Sequence, residues 1–137
     1  MDIRLAYGKK DLEITLPEEG LTIIEPKFVP GLSDERKAFI DSLRHPVGSP
    51  ALEELIKSKD SIAIVFSDIT RPVPNRQIIP WLLEELGGVS KDRVVLINAT
   101  GMHRANTIEE LTEMLGEEVV RNYRIINHDG QKKDRMV

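Results

Sequence analysis

Ile3, Leu5 and Tyr7 alternate with polar residues, as do Leu12, Ile14 and Leu16, and Gly8-Lys9-Lys10-Asp11 separates the two sets. Period-two alternation puts successive side chains on opposite faces of a strand, so this pattern predicts a β-hairpin. Pro17-Glu18-Glu19-Gly20 reads as a second turn and Leu21–Ile24 as a third short strand. Pro26, Pro30 and Gly31 then punctuate an irregular connection. Beyond it the period lengthens. Ser33 is placed to cap a helix with Asp34 and Glu35 in its opening turn, Phe39, Ile40 and Leu43 on one face, and an end at His45-Pro46. Ser49 followed by Pro50 starts a second helix through Leu52, Leu55 and Ile56.

The middle of the chain changes character. Ser61–Phe66 and Arg93–Ala99 are nearly unbroken apolar runs rich in β-branched residues, the pattern of strands buried on both faces of a parallel sheet. Ile78, Ile79, Trp81, Leu82, Leu83 and Leu86 recur at helical spacing between them, closed by Gly87-Gly88. Thr107-Ile108-Glu109-Glu110 is a capping box that opens another helix through Leu111 and Met114 to Gly116. Val119 and Val120 begin a short helical turn, and Arg124–Asn127 reads as a third strand. The expected fold is α/β: a parallel β-α-β-α-β core with flanking helices and an N-terminal β-hairpin. There is no internal repeat or low-complexity segment.

Composition narrows the function classes. A chain of 137 residues suits a single domain spanning residues 1–137, and 40% hydrophobic with 31% charged residues suits a soluble core. The absence of Cys removes disulfides, thiol chemistry and thiolate-ligated metals. No apolar run reaches the ~20 residues of a membrane span, and the N-terminus has no apolar signal segment, so a cytoplasmic location is expected. A net charge of −4 argues against a nucleic-acid surface, since the basic cluster Lys132, Lys133 and Arg135 reads as a solvated tail. The acidic pairs read as solvated helix faces, Trp81 with its Leu neighbours as core, and His45 as structural. The sequence contains no GxGxxG, P-loop, GxSxG or HExxH pattern. No metal site is complete.

In an open parallel sheet, ligands bind beyond the carboxyl ends of the strands. The three segments to inspect are therefore Ser67-Asp68-Ile69-Thr70-Arg71-Pro72-Val73-Pro74, Thr100-Gly101-Met102-His103-Arg104 and His128-Asp129-Gly130. Asp68 suits an Asx turn, an ion pair with Arg71, or a site carboxylate. Gly101 suits a positive φ. His103 suits proton transfer near neutrality, and Arg71 and Arg104 suit bidentate capture of a carboxylate. Thr70, Gly101, His128 and Asp129 are candidate neighbours of that site, the last two equally readable as a turn.

The D-x-T-R-P-x-P loop at Asp68–Pro74, followed about thirty residues later by Gly101-Met102-His103-Arg104 and then by Asn127-His128-Asp129, resembles the N-terminal domain of the nickel-dependent lactate racemase family. The resemblance implies a two-domain enzyme of which this chain is about the first third, with the active site between the domains. It implies racemisation or epimerisation of a 2-hydroxy acid by hydride transfer to a nickel-pincer nucleotide. It assigns His103 as a general base, Arg71 as the substrate-carboxylate clamp and Asp68 as an orienting aspartate, with Arg104 beside them as a substrate-binding candidate. The second catalytic histidine, the cofactor-bearing lysine and the nickel-ligating histidine belong to sequence beyond Val137. The chain alone is therefore expected to be inactive, to bind no cofactor by itself, and to present an apolar flank suited to its missing domain or to self-association. A non-catalytic module that holds a small anion or carboxylate is the alternative.

Overall fold

In the computed structural model, which describes residues 1–130, two compact units divide the chain: Met1–Gly31 and Leu32–Val137. The basic cluster at Lys132, Lys133 and Arg135 lies outside the described residues. In the first unit, β1 (Asp2–Tyr7) pairs antiparallel with β2 (Lys10–Thr15). Tyr7 faces Lys10 across a two-residue turn at Gly8-Lys9. Gly8 has φ +61°, the left-handed value that a tight hairpin needs at its first central position. The expected third strand at Leu21–Ile24 does not form: these residues pair with no strand among those described, and Ile24 stands exposed. Alternation alone does not make a strand; a backbone edge must be free to receive it.

The second unit opens with α1 (Glu35–Arg44). Its cap is Asp34, not Ser33: the Asp34 carboxylate accepts from the Lys37 N–H at 2.8 Å. An ionised oxygen at the cap also meets the positive end of the helix dipole. The second helix is a single turn, α2 (Leu52–Leu55). Then follow β3 (Ile62–Ser67), α3 (Asn75–Glu85), a 3-10 turn (Lys91–Arg93), β4 (Val94–Ala99), α4 (Ile108–Leu115), α5 (Glu117–Asn122) and β5 (Arg124–Asn127). The order of the sheet is β3-β4-β5, with both pairings parallel. At Thr107 the capping box forms as the sequence spells it: Thr107 Oγ1 accepts from Glu110 N–H, and the Glu110 carboxylate accepts from Thr107 N–H at 2.9 Å.

One face of the sheet makes the core. Ile64, Phe66, Val94 and Leu96 point into it and meet Ile79, Leu83, Leu111, Leu115 and Val119 from α3, α4 and α5. Leu96, at the centre of the middle strand, is fully buried. Phe39 of α1 meets Trp81 of α3 with ring centroids 6.0 Å apart, adding an outer helix to that layer. The other face differs from the sequence expectation of strands buried on both sides. Register aligns Val65, Ile97 and Ile126 in one row across the three strands. Val65 is 65% exposed and Ile126 is 37% exposed. Val95 and Ile97 of the middle strand are half-buried on this face, while Val65 and Ile126 on the flanking strands stand exposed.

Candidate active site

Register puts the ends of the three strands at one edge of the sheet: Ser67 pairs with Ala99, and Asn98 with Asn127. The chain leaves β3 through a series of tight turns. Arg71 N–H donates to Asp68 O at 3.1 Å, Val73 N–H to Arg71 O at 2.8 Å and Asn75 N–H to Val73 O at 2.8 Å. The buried Asn75 amide then reaches back to Ser67 O at 3.2 Å, closing the loop at the start of α3. Pro72 and Pro74 fix φ within this coil and lack N–H groups that would need partners. The result is a short loop with little freedom, which suits a site better than a tether.

Asp68 heads that loop and is buried, with only 4% of its surface exposed. Its two oxygens have separate tasks. Oδ1 accepts from the Thr70 hydroxyl at 2.7 Å and from Thr70 N–H at 3.2 Å, an Asx turn. Oδ2 meets His103 Nδ1 at 2.5 Å. Asp68 thus forms the turn, and the side chain its second oxygen meets is that of His103, not Arg71. The Thr70 hydroxyl first, and then His103, holds the Asp68 carboxyl below its usual range, so it is ionised at neutrality. An ionised oxygen can only accept, so the proton between the two groups belongs on Nδ1. A ring carrying its single proton on Nδ1 keeps its lone pair on Nε2.

His103 is positioned by the turn after β4. Thr100 N–H returns to Asn98 O, His103 N–H donates to Thr100 O at 2.9 Å, and Gly101 takes φ +58° between them. A cavity of about 260 Å³ opens there, lined by Ser67, Asp68, Arg71, Thr100, Gly101 and His103, among others. The His103 side chain is about half exposed (52%) on it. Arg71 lines the same cavity, and among the described residues its guanidinium forms no ion pair. Two larger hollows lie elsewhere, one beside Pro80 and Tyr123 and one beside Phe39 and Trp81, but neither includes an imidazole.

The remaining sequence candidates fall in different places. Arg104 turns away to α4, where its guanidinium grips Glu110 through two hydrogen bonds of 2.8 and 2.6 Å. Thr70 touches Asp68, and Gly101 lines the cavity. The backbone of His128 is tied into the same edge: its N–H donates to Asn98 O at 2.9 Å and its carbonyl accepts from the Thr100 hydroxyl. Asp129 follows it on the surface. Gly130 packs so closely on the His103 turn that a Cβ there would sit 2.7 Å from Gly101 O.

Two asparagines outside the sequence candidates, Asn98 and Asn106, bind this edge together with Asn127. Asn98, on the last inward position of β4, donates to Asn106 Oδ1 at 2.8 Å and to Asn127 Oδ1 at 2.7 Å. Asn98 is fully buried, and an amide at an apolar core position requires partners to offset its desolvation. That was the available signal: one Asn closing the run Val94-Val95-Leu96-Ile97.

A family model described as the lactate racemase N-terminal domain matches residues 7–137. The chain belongs to that family. It is 37% identical to the lactate racemase of Lactiplantibacillus plantarum over 139 residues and 34% identical to that of Thermoanaerobacterium thermosaccharolyticum over 140 residues. Each match covers 98% of this chain and 33% of the relative. The structure of the lactate racemase apoprotein from T. thermosaccharolyticum superposes with a TM-score of 0.80 at 33% identity, covering 99% of this chain and 32% of that one. The chain therefore spans about a third of the length of the relatives it matches, and the α/β fold with its N-terminal hairpin is theirs. Among the described residues, no helix is long and apolar enough to cross a membrane.

Proposed function

We propose that this chain supplies the substrate-facing acid–base edge of a racemase or epimerase acting on a 2-hydroxy acid, with lactate as the type substrate. The observation that carries the reading is the Asp68–His103 pair on the wall of a small cavity shared with Arg71. Arg71 holds the substrate carboxylate through two parallel hydrogen bonds, which fixes the α-carbon against the wall. His103 accepts the hydroxyl proton at Nε2, and Asp68 orients the ring and stabilises the imidazolium that results. Arg104 is engaged with Glu110, and its role in the proposal is to support the His103 turn.

The nickel-pincer nucleotide of the family supplies a hydride acceptor when bound. Among the described residues, no three His, Asp or Glu side chains gather closely enough to hold a metal ion. What the described residues provide is proton transfer and carboxylate orientation.

Steady-state kinetics test the reading in an enzyme that carries this chain as its N-terminal third. His103→Ala should lower kcat by about 10²–10⁴-fold, the usual contribution of a general base. Arg71→Ala should raise KM for lactate with a smaller loss in kcat. The chain alone should bind lactate weakly and racemise none. Near-normal kcat in His103→Ala refutes the base assignment. Lactate binding by this chain, combined with no turnover in the longer enzyme, marks a carboxylate-binding module instead.

A further inference from the structure

Asn106 is buried, with 6% of its surface exposed, and each of its polar atoms is engaged by another residue of the edge. Its Oδ1 accepts from Asn98 Nδ2 of β4 at 2.8 Å, with a longer approach of 3.5 Å from Ile69 N–H, the residue next to Asp68. Its Nδ2 donates to Glu110 of α4 at 2.8 Å. Its backbone N–H and carbonyl form a closed pair with the side-chain amide of Asn127 of β5, at 3.2 and 3.0 Å. The amide orientations are mutually determined: Glu110 can only accept and Asn106 O can only accept, so both Oδ1 atoms must face Asn98. Two residues before Asn106, Arg104 grips the same Glu110 carboxylate. The segment carrying His103 is thereby pinned at its far end to β4, to β5, to α4 and to the loop after β3.

We infer that Asn106 is a positioning residue that holds the His103 turn against the Asp68 loop, so that the imidazole meets the carboxylate through Nδ1. The inference rests on reading Asp68–His103 as the acid–base pair. The physical reason is geometric. Asp68 and His103 lie 35 residues apart on separate loops, and their own contact is a single hydrogen bond. A side chain half exposed to solvent has other rotamers available, so the loops themselves must be held. A buried amide network does that: donors and acceptors around Asn106 match in one orientation, which leaves Asn98 Oδ1 without a partner.

The test is ¹⁵N NMR of the His103 ring in this chain, beside thermal melts. In the unmodified chain Nδ1 should carry the proton at neutral pH. Asn106→Ala should leave a folded chain in which the Nδ1–H form drops from the major to the minor species, measured well below the melting temperature, with the Ile69 amide shifting alongside. Asn106→Ser, which leaves a smaller cavity, should show the same loss. Glu110→Gln, which keeps an oxygen for Asn106 but removes the ion pair with Arg104, should retain the signature. The inference is overturned if the Nδ1–H form survives in folded Asn106→Ala, if Glu110→Gln alone abolishes it, or if neither Asn106 variant folds. An unmodified chain without the Nδ1 proton contradicts the acid–base reading itself, so the two failures are distinguishable.

Discussion

Asp68→Asn changes one charge and almost no volume, and the structure dictates its outcome. Asp68 Oδ1 accepts from both the hydroxyl and the N–H of Thr70. An amide nitrogen cannot accept either bond, so the substituted side chain must keep its oxygen on that side and turn its NH₂ toward His103 Nδ1. Nδ1 must then accept, which moves the imidazole proton to Nε2, the atom that has to take the substrate proton. The expected loss is the general-base contribution, about 10²–10⁴-fold in kcat, with a smaller change in KM because Arg71 is untouched. The melting temperature at neutral pH should fall modestly, since shape is preserved but the stabilisation of the ionised carboxylate by Thr70 and His103 is lost. Chiral chromatography of lactate in an enzyme carrying this chain measures the rate, and ring ¹⁵N shifts report the tautomer. A variant that retains both the Nδ1–H signature and full turnover refutes the reasoning.

Three further outcomes are expected. Arg104, then Asn106, then Thr107 N–H hold the Glu110 carboxyl well below its usual range, and Asp68 is lowered by Thr70 and His103, so both favour the folded state above the ordinary carboxylate pKa of about 4. That stability is lost as pH falls through the folded-state values; melting temperature should fall with acidification below about pH 4, and Glu110→Gln should flatten the decline. Leu96→Ala should cost about 2–5 kcal/mol in urea unfolding, whereas Val65→Ala on the open face should cost less than about 1 kcal/mol; equal costs would show that the open face is covered in solution. Gly130→Ala places a methyl group against Gly101 O, and should shift the Gly101–His103 amides in ¹⁵N HSQC spectra while the hairpin amides stay fixed.

Much of this chain is local and so was legible in its residues. The hairpin, the two apolar strands, the capping box at Thr107–Glu110 and the strand ends bearing Asp68, Arg71 and His103 follow from periodicity, turn chemistry and strand-end placement, because each involves neighbours within a few positions. The cap of α1 shows the resolution of such reading: Ser33 and Asp34 both suit the role, and only the final backbone direction selects Asp34. Leu21–Ile24 carries strand-like residues, yet a strand exists only when another edge accepts its hydrogen bonds, and that is a tertiary fact. The same holds for the row Val65, Ile97 and Ile126, whose sequence reads as buried on both sides but whose outer members are exposed. Arg104 is the clearest case. A guanidinium beside His103 suits a carboxylate of any origin, and the fold supplies one from Glu110 before a ligand can. Which of Asp68's possible partners it chooses, and how Asn98, Asn106 and Asn127 join two strands to the loop before α4, depend on contacts between residues well separated in sequence. Packing brings those residues together; no local pattern encodes the meeting.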